Sequence, residues 1–550
     1  MRTLVITGGL FEPAAETPTQ ALVKQWRASR ASSGIWLDLR LKVMLAERYT
    51  AMRQRLPHAP EAVRRLLADD PAAGVPELTE VALASLLEAE GCEVEVATWS
   101  EISADPAGRE ARLGRCPLVL ASTTLLRDLS ELGPLAALIK RPHNRIVVGG
   151  ALVSMLADRW PGVPGVDVAA AGDGERLVPA LVAWARGGFT QLTPPDGGRL
   201  EQDGALLRAG PMPSKSLDAW PSPDWRVAER LHGRAFPFIH YESVRGCPYR
   251  CAFCNYPFLF DDTRFRLRSA ERIALDWTIA ASRGVRWISC LDSLFTLPPK
   301  RLDALTERLI AEGKPVDWLC YARADDLTDP KRVRRLRDAG CRQVQIGVES
   351  GSAEILHHMN KRTTPEVNAR ALQVCRDEGL TTVITLVVGF PGETPDTLAD
   401  TRALLKAAPP DFFFVAPFSV KSPLIPILSE KSRAEHELVT DSDPTSAFPA
   451  WRHRTMDTLD AIEHADALTR WIMAEGLGLN AGMFFQGMLR YDGQERDVLL
   501  RFQRDTLDVG VGHRLGFGAM RRLTRWRGEA QMARLSPPLT RAGPQEGARR

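Results

Sequence analysis

Three thiols within eight residues carry the clearest chemistry of this 550-residue chain. The segment reads Ser243-Val-Arg-Gly-Cys247-Pro-Tyr-Arg-Cys251-Ala-Phe-Cys254-Asn-Tyr. The spacing is CxxxCxxC, directly after a run with strand character. Three thiolates on one short loop suit three irons of a cubane iron–sulfur cluster, for which thiolate is the usual ligand. A zinc site generally takes four ligands in two pairs, and no second CxxC or HxxxH is present to complete one. The chain has nine cysteines, and the other six (Cys92, Cys116, Cys290, Cys320, Cys341 and Cys375) are scattered. Cys290, Cys320, Cys341 and Cys375 read as small buried residues near strands. Cys320 stands at a strand end, which adds it as a candidate participant.

Such a loop must be held by a scaffold, and the flanking sequence supplies one. From about 236 to 425 apolar runs alternate with helical spacing. The strand candidates are 239–244, 285–290, 317–322, 343–348, 382–388 and 412–417. Six βα repeats predict a partial barrel of parallel strands whose active site lies at the carboxyl ends. Residues 1–190 show a second βαβα pattern, which predicts an open Rossmann-like sheet with helices on both faces. Ligands of such sheets lie beyond the carboxyl strand ends. Residues at about 11–75 interrupt that rhythm and read as a helical insertion, with helix-like stretches at 19–29, 36–55 and 60–68. Residues 191–235, rich in Pro, Gly, Asp and Ser, predict a linker. Residues 426–535 predict a helical region capping the barrel mouth, where Trp451, Phe484, Phe485 and Tyr491 are candidate pocket aromatics. Residues 536–550 predict a disordered tail.

The cysteine loop, with Phe253 before its last cysteine, resembles that of the radical SAM superfamily. Further motifs agree in order. Leu291-Asp292-Ser293 resembles the family's short motif at the second strand end. Tyr321-Ala-Arg323 ends the third strand. Gly347-Val-Glu349-Ser350-Gly351 with Met359-Asn-Lys361 resembles the GxESG…MxK stretch. Val388-Gly389-Phe390-Pro391-Gly392-Glu393-Thr394 resembles the GxPGET turn. The resemblance covers roughly residues 239–420. It implies a [4Fe–4S] cluster on Cys247, Cys251 and Cys254, and S-adenosylmethionine on the fourth iron. It assigns Phe253, Asp292, Arg323, Glu349, Ser350 and Gly389 to S-adenosylmethionine. Within that assignment Asp292 contacts the amino group, Arg323 the carboxylate, Glu349 and Ser350 the ribose, and Gly389 the adenine.

A parallel-sheet domain ahead of such a barrel resembles the cobalamin-binding arrangement. Ser122-Thr123-Thr124, Gly149-Gly150 and Gly172-Asp-Gly174-Glu175 each follow a strand candidate. The resemblance assigns Ser122, Thr123, Gly149, Gly150, Gly172 and Glu175 to cobalamin. Many cobalamin domains carry DxHxxG after the first strand, and this chain has Gly8-Gly9-Leu10-Phe11-Glu12-Pro13 instead. The expectation is a corrin without that histidine, its lower face covered by the insertion. His58 and the insertion's arginines Arg53, Arg55, Arg64 and Arg65 read as solvated.

Taken together, the resemblance implies a cobalamin-dependent radical SAM methyltransferase. It moves a methyl group from S-adenosylmethionine to a carbon of a small molecule, amino acid or peptide. The alternative is a cobalamin-binding radical SAM enzyme doing non-methylating cyclisation or rearrangement. An electron donor such as flavodoxin or ferredoxin is expected. With 71 basic and 68 acidic residues the formal net charge is +3, which requires neither nucleic acid nor an anionic membrane as partner. The arginines at 521–527 read as a solvated helix face. No apolar run reaches the roughly 18 residues of a spanning helix, and no signal peptide is evident at the start. The expected location is the cytoplasm.

Overall fold

The computed structural model describes residues 1–9, 20, 22–23, 26–27, 32–68, 72, 74–441, 443, 446, 448–484, 491–508 and 510–535. The expected 19–29 helix, most of it, and the 536–550 tail lie outside the described residues, as does Phe485.

The first sheet has seven strands: β1 (Arg2–Thr7), β2 (Glu93–Thr98), β3 (Leu118–Ser122), β4 (Arg145–Gly149), β5 (Val168–Ala171), β6 (Arg199–Glu201) and β7 (Leu206–Arg208). Their order is β2-β1-β3-β4-β5-β7-β6. All neighbours run parallel except β6 with β7. The β-branched and small apolar residues of β1, β3 and β5 are buried on both faces, as a strand between two helix layers requires. The chain moves from β1 to one neighbour and later to the other, so the crevice between β1 and β3 is the switch point where such sheets take ligands. Residues 199–208, expected as linker, instead form β6 and β7 and extend this sheet.

In the second sheet β8 (Phe238–Tyr241) is followed by the short antiparallel pair β9 (Val244–Arg245) and β10 (Arg266–Leu267), which brackets the cysteine loop. Then come β11 (Trp287–Cys290), β12 (Asp317–Ala322), β13 (Cys341–Glu349), β14 (Thr381–Val388) and β15 (Phe412–Pro417). The hairpin β16 (Val439–Thr440) and β17 (Trp451–Arg452) stands apart from the barrel, and β18 (Leu479–Asn480) completes it. The order β18-β15-β14-β13-β12-β11-β8 is parallel throughout. It is an open barrel, with helices between its strands.

Its outer face packs on those helices. Trp277 from the helix Ala270–Ser282 meets Trp318 of β12 at 5.5 Å between ring centroids, and Phe295 meets Trp318 at 5.2 Å. All three are fully buried, and each contributes on the order of 2–3 kcal/mol of transfer free energy. Cys290, Cys320 and Cys341 belong to the same core. Cys320 therefore faces the helices and not the site.

The helical insertion includes the helices Ile35–Arg55 and Glu61–Ala68. The first packs against Thr458–Glu475 and Val511–Met532, the second against Gly493–Asp505. Arg48 and Arg521 pair with Asp466, and Arg470 bonds Glu47 at 2.7 Å. The insertion thus joins the carboxyl-terminal helices, tying the two ends of the chain. His58 is exposed in the turn between its helices.

Candidate active site at the facing strand ends

The three loop cysteines are half-buried, whereas the other six are buried. The thiols lie within one another's electrostatic reach: Cys251 and Cys247 both act on Cys254, which burial pushes up to about 11. The backbone N–H of Tyr249 donates to Cys247 and that of Tyr256 to Cys254. Ser293, from the neighbouring strand end, donates to the Gly246 carbonyl at 2.8 Å. Gly246 sits at φ +76°, and an added Cβ would stand 2.4 Å from the Arg264 carbonyl oxygen, so glycine is needed to start the loop. Three accessible soft donors with N–H groups aimed at sulfur fit a cluster bound through three cysteines.

The charged residues that the resemblance assigns to S-adenosylmethionine also make contacts within the chain. Asp292 is buried, and its oxygens accept from the Ser243 and Val244 N–H groups at 2.6 and 2.9 Å and from the Ser243 hydroxyl. It braces the entry to the cysteine loop. Arg301 packs against Phe295 and bonds the Phe295 carbonyl at 2.7 Å, placing a buried cation near Asp292. Burial still wins over that charge, raising the Asp292 carboxyl to about 6. Arg323 donates to the Lys361 carbonyl at 2.6 Å, to Asp325 at 2.9 Å, and lies 4.0 Å from the Tyr249 ring centroid. It ties the cysteine loop to the turn after Met359. Glu349, at φ +63°, accepts from Lys361 at 2.8 Å and from Thr385 at 3.3 Å. Ser350 is buried against Thr401 and Ser352.

Gly389 is also buried. Its N–H donates to the buried Glu393 carboxyl, and its carbonyl accepts from His453 at 3.1 Å. The Thr455 N–H donates to the other ring nitrogen of His453, so Nε2 carries the proton. His453 stacks on Trp451 at 5.2 Å, so Trp451 is a core residue of this support. Phe253, half-buried, meets Phe390 edge-on at 6.4 Å. Side chains from the carboxyl-terminal region thereby hold the 389–393 turn, a role with no local sequence signal.

Open surface at the barrel mouth comes from other residues. Strand alternation aims Tyr321, Gln345, Gly347, Thr385 and Phe414 into the barrel, since Cys320, Ile346, Ile384 and Phe413 face the helix layer. They form adjacent cross-strand pairs: Tyr321 with Gln345, Gly347 with Thr385, and Thr385 with Phe414. Leu291, Tyr321 and Phe414 remain 38%, 37% and 44% exposed. Large apolar side chains left open inside a barrel mark a binding wall. Deeper, His240, Ser289, Leu319 and Gln343 form one layer across four strands. Burial drives the His240 imidazole down to about 4, so it is neutral.

At the first sheet, Ser122 and Thr123 are buried, Thr123 donating to the Gly149 carbonyl at 2.8 Å. The exposed residues at that strand end are Thr124 and Leu125 instead. Gly150 sits at φ +103°, where an added Cβ would stand 2.6 Å from the Thr124 hydroxyl, and Gly172 at φ +115°, where it would meet the Ala209 methyl at 2.5 Å. Gly149 is half-buried, and its added Cβ would lie 3.2 Å from the Ala170 carbonyl oxygen. These glycines let the strand-end turns pack closely. Glu175 accepts from Arg245 at 2.8 and 2.9 Å. Asp173 accepts from Arg245 at 2.7 Å and from the fully buried Arg266 at 2.6 Å. Arg245 stands two residues before Cys247. The two carboxyl-end faces therefore meet through a buried ion network that abuts the cysteine loop.

Residues 241–405 match the model of the radical SAM superfamily. An uncharacterized methyltransferase of Pyrococcus horikoshii is 27% identical over 311 residues, 56% of this chain and 66% of the relative. Hopanoid C-3 methylase of Methylococcus capsulatus is 29% identical over 292 residues, 51% of this chain and 54% of the relative. An anaerobic magnesium-protoporphyrin IX monomethyl ester cyclase of Cereibacter sphaeroides is 26% identical over 395 residues, 68% of this chain and 61% of the relative. The chain thus spans roughly half to two thirds of these relatives. The radical S-adenosylmethionine methyltransferase TsrM from Kitasatospora setae, solved with cobalamin and a [4Fe–4S] cluster, superposes with a TM-score of 0.57 at 18% identity, covering 78% of this chain and 97% of that one. The cobalamin-dependent S-adenosylmethionine radical enzyme OxsB superposes at 0.56 and 17% identity, covering 84% and 78%. Residues 241–405 of this chain are thus a radical SAM domain. The chain's fold, sheet domain and barrel together, is that of the cobalamin-dependent radical SAM enzymes.

Proposed function

We propose that this protein is a cobalamin-dependent radical SAM methyltransferase that moves a methyl group from S-adenosylmethionine to a carbon of an apolar small molecule. The observation that carries the reading is the ion network joining Asp173 and Glu175 to Arg245. It sets the carboxyl edge of a Rossmann-like sheet against the barrel mouth, beside the three cysteines. A corrin at one edge and a cluster at the other share one substrate space only in such an arrangement.

When bound, the cluster supplies electrons and the corrin carries the methyl group. The protein's own residues position both. Cys247, Cys251 and Cys254 hold three irons. The open strand ends with Thr124, Leu125, Gly149 and Gly150 offer the corrin a neutral surface, because Asp173 and Glu175 are spent on arginines. Ser293, Phe253 and Gly347 would offer S-adenosylmethionine its surface, and Lys361 and Glu349 would support those residues. Leu291, Tyr321 and Phe414 suit the apolar body of a substrate. The relatives include a hopanoid C-3 methylase and an anaerobic magnesium-protoporphyrin IX monomethyl ester cyclase.

The cyclase relative favours a second reading, in which the same cofactors serve ring formation. Anaerobic reconstitution with cobalamin and methyl-labelled S-adenosylmethionine separates them. Label passing first to the corrin and then to product supports methyl transfer. Corrin uptake with an unlabelled, cyclised product supports the second reading. Iron uptake without corrin sinks both.

A further inference from the structure

The last described helix, Val511–Met532, is apolar on two opposite faces. Its inner face packs Phe517, Thr524, Gly528 and Met532 against the molecule. Gly528 is placed against Leu37 and Leu459, where an added Cβ would be 3.5 and 3.0 Å from their methyls. Leu459 opens the helix whose Ala461 covers Gly389. The outer face should be polar in a helix of this kind. Instead Val511, Leu515, Leu523 and Trp526 are 69%, 67%, 48% and 61% exposed. Val511, Leu515 and Trp526 fall on one stripe at helical spacing. Leu22 packs beside Phe517, and its neighbours Val23 and Trp26 are 49% and 45% exposed, which widens the patch.

Charge selects what covers this face. From 511 to 535 the sequence holds six arginines and one acidic residue, Glu529. Arg521 is spent on Glu47 and Asp466. Arg522 and Arg534 are exposed beside the apolar stripe, and Arg527 lies 5.0 Å from the Trp526 ring centroid. A second copy joined through the same face would bring the two arginine sets together, and like charges oppose that. An apolar stripe with Trp, rimmed by arginine, matches the acyl and headgroup layers of an anionic bilayer.

We infer that this helix docks the enzyme on the surface of an anionic lipid bilayer, lying in the headgroup plane through Leu515 and Trp526 with Arg522 at its rim. No described helix is long and apolar enough to cross a membrane, so the contact is peripheral. The whole-chain charge of +3 conceals it, because basic and acidic residues elsewhere cancel. The inference stands on this surface alone and does not rest on the methyl-transfer reading.

The test is co-sedimentation of the reconstituted full-length enzyme with vesicles. One set is phosphatidylcholine, the other equal parts phosphatidylcholine and phosphatidylglycerol. Binding to the anionic set, weakened by added salt, is expected. The Leu515→Ser/Trp526→Ser variant should bind about tenfold less tightly or worse. Arg522→Glu should weaken binding by about fivefold or more, and it keeps the inner face intact should the double variant fold poorly. Iron content should not change in either. Failure to bind the anionic vesicles, or equal binding by Arg522→Glu, overturns the inference. So does a lipid-free dimer that Trp526→Ser dissolves, which would assign the face to a second copy.

Discussion

The two strand-end faces solve the same problem with different chemistry. At the barrel mouth, charged side chains hold backbone. Asp292 braces Ser243 and Val244, Arg323 braces Lys361, and Glu393 braces Gly389. At the first sheet, small residues do it: Gly150 and Gly172 let turns pack closely, and Thr123 ties β3 to β4. Only Asp173 and Glu175 are charged at its last turn, and both reach across to the barrel. A loop that must present three thiolates needs rigid, charge-assisted support. The corrin proposed for the first sheet would need room at the backbone instead.

Substitutions that hit one face should leave the other readable. Cys251→Ala has the largest expected effect, abolishing cluster absorption and activity while corrin uptake persists. Loss of both would mean the faces are not independent. Next is Asp173→Asn, which leaves Arg266 and Arg245 underpaired in a buried interface. Breaking one partner of such a network costs about 3–5 kcal/mol, read from the urea midpoint, and should split unfolding into two transitions. A single unshifted transition would show that the network does not join the domains. Gly150→Ala forces a side chain against Thr124 at positive φ and should cost about 1–3 kcal/mol. Its signature is reduced corrin uptake at unchanged iron content.

The smallest effect is in Glu393. Burial raises this carboxyl from 4.5 to about 7. A raised folded value means that its contribution is present below 4.5 and is lost as pH rises through about 7. Glu393→Gln keeps an acceptor for the Gly389 N–H and cannot ionise. Its melting temperature should therefore gain on the parent's as pH rises across that window. A constant difference across the window would remove Glu393 as a titrating support.

The candidate cluster ligands were legible because their chemistry is local: three thiols on one loop need only sequence spacing. The strands were legible for a related reason, since buried parallel strands need continuous apolar runs. Asp317–Ala322 and Phe412–Pro417 fall where the pattern puts them. The β6–β7 pair was hidden by its length of three residues each and by the Gly and Asp around it. The motif residues were legible as motifs but not as contacts. Asp292, Arg323, Ser350 and Glu175 carry the right chemistry for a ligand, and each also has a partner 38 to 70 residues away. His453, which holds the 389–393 turn, and Leu125, exposed at the first sheet's edge, belong to no motif at all.

By itself, then, the sequence determined that three thiols share one loop, and it determined the apolar period of most strands in both sheets. Those properties depend on neighbours a few residues apart. Only the tertiary structure decided which charges remain free for a ligand, because a buried charge is committed by whichever opposite charge the fold brings within reach. It also decided that the insertion and the last helix pack together, leaving one apolar, arginine-rimmed stripe facing outward beyond the Gly389 turn.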